Sequence, residues 1–261
     1  MSDTPLHRLY SHYSELPLSM RVLYTAALCI LGSGYLFGLI YLFHSNSGRD
    51  GNALDLSYQD IVITYAGSGK DSKLEAALRG PMATMLPPDE AKAMISWVKN
   101  GSDRATYDAS IRTTLDKRCK SCHDGVNPHL SNLDGYDNIR KVTEKDTGTD
   151  IFTLVRVSHI HLFGISFIFF IVGIIFSHAY VRPVWLKCVI MGMPFVCLFV
   201  DVISWYLVKV YHPFAWATMG AGGMMALSFA VMWVISLYQM WFSRTPAAVA
   251  QRHGVDRTVI G

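Results

Sequence analysis

Residues 117–125 read Lys-Arg-Cys-Lys-Ser-Cys-His-Asp-Gly, and Cys119 and Cys122 form the chain's one closely spaced cysteine pair. Two thiols one helical turn apart can each form a thioether to a haem vinyl group. A histidine beside the second thiol then falls under the iron as its proximal ligand. Cys119 and Cys122 are therefore expected to attach a haem c, with His123 on its iron. Other chemistries fit less well. A thioredoxin-like dithiol needs a βαβ context, which the surrounding sequence lacks. A structural zinc site needs four ligands, usually from two such pairs, and only one pair is present.

These residues must be positioned by something, and composition says what. Hydrophobic residues make up 51% of the 261 and charged residues 16%, against about 25% charged in an ordinary soluble domain. A net charge of +3 is too small to argue for nucleic acid. Four apolar runs cover 22–43, 158–179, 188–208 and 214–242. Each is near or above the roughly 20 residues that cross a hydrocarbon core as a helix. Cys29, Cys188 and Cys197 lie inside these runs and read as small buried hydrophobes rather than a disulfide framework. The first run is long, follows twenty residues and has no Ala-x-Ala site after it, so it reads as a retained anchor rather than a secretion signal.

The expected fold is all-α: four transmembrane helices, with a small, mostly helical domain inserted between helices 1 and 2. The expected bounds are an N-terminal tail at 1–21, helix 1 at 22–43, the inserted domain at 44–157, helices 2–4 within 158–242, and a C-terminal tail at 243–261. Arg8, Arg21, Arg182, Lys187, Arg244, Arg252 and Arg257 then fall on one side. The positive-inside rule makes that side cytoplasmic. The inserted domain becomes periplasmic in a bacterial inner membrane, with both termini cytoplasmic.

Within that domain, Ile111, Leu115 and Cys119 recur at i, i+4 and i+8, one face of a helix running into the Cys-His motif. Upstream, 79–101 reads "RGPMATMLPPDEAKAMISWVKNG". It holds two methionines in a Gly/Pro loop, then a helix starting near Pro88 and Asp89, with Ala91, Met94, Ile95 and Val98 on one face and Gly101 past its end. From His123 to the second apolar run there is no methionine. Residues 60–147 thus resemble a class I cytochrome c whose Met-loop half precedes its Cys-x-x-Cys-His half. Such an order is feasible when domain termini lie close together. The resemblance implies a thioether ligand from Met82 or Met85, which raises the reduction potential. Met94 reads as core. His129 is a rival distal ligand, an open position or a membrane-end histidine another.

"AGSGKDSK" at 66–73 imitates a phosphate loop but lacks its first glycine and its Ser/Thr, and reads as a polar loop before a short helix. His44, His159, His161, His212 and Asp201 gather toward the outer ends of the spans and form a possible second site. They could hold a haem b, take protons from a quinol, or serve only as interfacial hydrogen-bonding groups. Lys117, Arg118 and Lys120 could present a basic rim to a redox partner.

The functional expectation is a membrane-bound mono-haem electron-transfer protein. Its partners would be lipid and either other redox subunits or a soluble periplasmic carrier. One alternative is a quinol-oxidising cytochrome with an added haem b or quinone; another is an accessory scaffold subunit of a larger membrane complex. No substrate chemistry of its own is evident, and no catalytic residue is assigned.

Overall fold

The computed structural model describes residues 11–52, 54–80, 82–127 and 130–243. Among these residues every regular element is helical, and the β-contact is an isolated antiparallel bridge between Ser72 and Lys145. In chain order the helices are α1 (Leu18–Asn46), α2 (Tyr58–Ala66), α3 (Lys73–Arg79), α4 (Pro88–Lys99), α5 (Arg104–Thr106), α6 (Arg112–Arg118), α7 (Tyr136–Val142), α8 (Ile151–Ser177), α9 (Val184–Val208) and α10 (Ala215–Trp241). A π-helical turn, Tyr107–Ile111, joins α5 to α6.

Helices α1, α8, α9 and α10 are long and apolar enough to cross a membrane. The protein is therefore a membrane protein with four candidate spans. Three of them start before the apolar runs: α1 at Leu18 rather than 22, α8 at Ile151 rather than 158 and α9 at Val184 rather than 188. At 27 residues, α8 is about 40 Å long, more than the roughly 30 Å hydrocarbon core. Its first turn begins with Asp150, whose Oδ1 accepts from Thr153 N at 2.9 Å. The Asp150 cap lets the helix begin seven residues before the uninterrupted apolar stretch, across a segment broken by Thr153 and Arg156.

The chain divides into two compact units. One comprises residues up to Gly38, Arg156–Ile203 and Ala217 onward. Its core includes Leu28, Phe169, Val172, Phe176, Leu198 and Met232. There α1 meets α10 closely: Trp233 Nε1 donates to Leu28 O at 2.8 Å, and a Cβ on Gly32 would stand 2.6 Å from that nitrogen. Tyr35 stacks on Phe229 nearby, centroids 4.2 Å apart. Part of the expected N-terminal tail is packed. Tyr13 is fully buried, its hydroxyl donating to Ile175 O at 2.6 Å, and His178 Nδ1 donates to Ser11 O at 2.7 Å. A lone Tyr in a polar stretch carries no periodicity that would announce this.

The other unit comprises Leu39–Val155 and Ser204–Trp216. Where the chain enters and leaves its helical part, two segments are laced together. Lys73 N donates to Glu144 O (3.0 Å), Asp146 N to Asp71 O (2.8 Å) and Thr149 N to Thr64 O (3.0 Å). Gly148 has φ +71°, and a Cβ there would run into the Tyr65 carbonyl. Lys209, in the turn after α9, donates to the carbonyls of Tyr65, Thr147 and Thr149 at 2.7, 3.0 and 2.8 Å. Burial lowers its ammonium pKa, while Asp146 and Asp150 act in the opposite direction.

Candidate functional site

The site is built on a small apolar core. Leu74 and Leu78 of α3, Leu86 just before α4, Met94 and Trp97 of α4, Tyr107, Ile111 and Leu115 before the motif, and Ile139 of α7 form one buried cluster. The expected i, i+4 face is present and begins at Tyr107, one turn earlier than read. Asp103 starts the helical stretch, its Oδ1 accepting from Thr106 N at 2.8 Å. This hydrogen bond keeps the Asp103 carboxyl below its ordinary pKa. Trp97, absent from the sequence reading of α4, is 2% exposed, and its indole donates to Asp103 O at 2.9 Å. It ties the end of α4 to the start of the helix that carries the motif. Tyr136 of α7 closes the same corner, its hydroxyl donating to Ser102 O at 2.9 Å.

Helix α6 ends at Arg118, and Cys119 occupies its C-cap. The chain then winds one further turn: Cys122 N and His123 N both donate to Cys119 O, at 3.1 and 2.9 Å. Both cysteines are free thiols; Cys119 is half-buried against the core cluster and Cys122 is exposed. Burial, and secondarily the Glu90 carboxylate, raises the Cys119 thiol pKa.

The loop beyond doubles back on the histidine. His123 Nδ1 pairs with Ser131 O at 2.7 Å, and Leu133 N donates to His123 O at 2.9 Å. A carbonyl can only accept, so Nδ1 carries the proton. In the neutral imidazole this leaves the lone pair on Nε2, the form that binds a metal. The Ser131 carbonyl was invisible in the sequence, because a backbone acceptor has no residue signature.

The two loop methionines differ in burial. Met82 is half-buried and packs against the cluster that Cys119 also touches, whereas Met85 is 60% exposed. Met94 is fully buried core, as expected. His129 lies outside the described residues. Of the basic rim, Arg118 pairs with Glu90 and Lys120 with Asp134 at 2.8 Å. Much of that charge is therefore satisfied within the chain.

The second candidate set is dispersed in its exposure. His44, His159 and His212 are exposed; His44 abuts Phe43 and His159 abuts Phe163. His161 is half-buried, its Nδ1 donating to Val157 O at 3.0 Å, and Asp201 is buried on α9. Among the described residues no three His, Cys, Asp or Glu side chains converge into a metal-holding group.

Residues 149–247 match the family model of a transmembrane helical domain, Aq_1264_TM. The match spans α8, α9 and α10. No curated protein and no solved structure matches the chain.

Proposed function

We propose that this protein is a membrane-anchored cytochrome c that carries one covalent haem on Cys119 and Cys122 and passes single electrons. The observation that carries the reading is the hydrogen bond from His123 Nδ1 to the Ser131 carbonyl. It orients an imidazole beside a Cys-x-x-Cys turn with Nε2 left to bind iron. The free thiols, spaced one turn apart, fit the same group. Each would add its S–H across a vinyl C=C. The S–H and π bonds break, S–C and C–H bonds form, and no oxidant is needed.

When bound, the haem supplies one-electron exchange at its iron, between the ferrous and ferric states. The chain's own residues set the conditions for that exchange. His123 would hold the iron through Nε2. Met82, the more buried loop methionine, would supply a thioether ligand, which favours the reduced state. The apolar cluster beneath Cys119 excludes water from one flank of the motif.

The four apolar helices would hold this domain at a membrane, read here as the bacterial inner membrane, and the positive-inside rule favours the periplasmic side for the domain. Other redox subunits, or a soluble periplasmic carrier, would give and take the electrons.

A redox titration of the purified full-length protein, followed at the haem absorption bands, tests this. A single one-electron wave is expected. Absence of any haem wave, or a two-electron wave abolished by thiol alkylation, contradicts the reading in favour of a redox dithiol.

A further inference from the structure

Arg118 immediately precedes Cys119, and Glu90 lies in the first turn of α4, just after the Met82–Met85 loop. Arg118 Nε and NH2 donate in parallel to the two carboxylate oxygens of Glu90, both at 3.1 Å. The two side chains are about one-third exposed, at 33% and 29%. Among the described residues no other ion pair joins the α4 segment to the Cys-His turn.

The position of this fork matters because of what α4 lacks. Its N-cap is Pro87, which makes no side-chain capping bond. Met94 and Trp97 anchor its middle and far end in the core, but Pro87, Pro88 and Asp89 are exposed. The near end, which carries the methionine loop, is held on its inner side by Leu86 and Ala91 against the core and on its exposed side by Glu90. Both partners suit their helix ends: an acid in the first turn of α4 and a base in the last turn of α6. The Glu90 carboxyl is held below its ordinary pKa, chiefly by the Arg118 hydrogen bonds.

We propose that the Glu90–Arg118 fork positions the methionine ligand by clamping the start of α4 against the turn that carries Cys119 and His123. The inference rests on the cytochrome reading above, because only there does Met82 have an iron to meet. Neither residue touches the iron; both are positioning residues. The fork also demands arginine, since a lysine keeps the charge but cannot make two parallel bonds in one plane.

Two variants of the full-length protein, Arg118→Lys and Glu90→Gln, test it. Added imidazole binds the iron only when methionine has left, so its apparent affinity reports the detached fraction. Both variants are expected to bind imidazole roughly three- to tenfold more tightly than the parent, the scale of one well-formed, partly exposed ion pair. Covalent haem content should be unchanged.

Imidazole affinity within about twofold of the parent in both variants, with the parent's near-infrared sulfur-to-iron band present, overturns the fork and leaves the cytochrome reading intact. Loss of covalent haem from both variants also overturns it, because the fork would then serve folding rather than the ligand. A parent with haem but no sulfur-to-iron band removes the methionine ligand, and the proposal with it.

Discussion

Replacing Met82 with alanine is expected to abolish the near-infrared sulfur-to-iron band and lower the reduction potential, while Met85→Ala leaves both unchanged. The asymmetry follows from packing. Met82 is half-buried against the cluster that Cys119 also contacts, and its amide donates to Ala77 O at 2.8 Å, which fixes the loop to the end of α3. Met85 is 60% exposed, although its own amide donates back to Met82 O at 3.0 Å. A thioether stabilises ferrous iron, so its removal shifts the iron toward the oxidised form. Near-infrared absorption and a redox titration of the two variants decide the matter. A band that survives Met82→Ala and disappears in Met85→Ala would contradict the assignment.

Trp97→Ala is expected to cost the helical unit that holds it about 3–5 kcal/mol, a large share of the roughly 5–15 kcal/mol that holds a domain together. Trp97 is 2% exposed, touches Tyr107 across the core and donates to Asp103 O. Truncation leaves a cavity between α4 and the motif helix and removes the donor from that carbonyl. Chemical denaturation followed by circular dichroism, with proteolysis of this unit as a second probe, measures the loss. A cost below about 1 kcal/mol would mean the two helices are held together by something else.

These two residues show what a sequence can and cannot disclose. The thioether candidates were legible because methionines in a Gly/Pro loop before a capped-looking helix form a local pattern. The helix itself was read correctly from Pro88 at its start, and α3 emerged over 73–79 as the element after the "AGSGKDSK" loop. The four spans were legible from apolar run length alone. Trp97 escaped because its significance is a contact with Asp103 and Tyr107 in another helix, which no periodicity within α4 reveals. The Ser131 carbonyl escaped for the same reason, and so did the fork between Glu90 and Arg118. The charges of the basic rim were visible, but the acids that pair with two of them come from α4 and from the loop before α7. The starts of α1, α8 and α9 were placed late, because helical hydrogen bonding crosses the isolated polar residues, such as Arg21, Arg156 and Lys187, that interrupt the apolar runs.

The central claim is covalent haem at one turn of the chain. The most direct measurement is the mass of the peptide that contains residues 119–123, taken from full-length protein produced with haem-c maturation machinery. The account expects that peptide to carry the mass of one haem, and the Cys119→Ala/Cys122→Ala double variant to carry none. An unmodified peptide with two free thiols from the parent protein would contradict it.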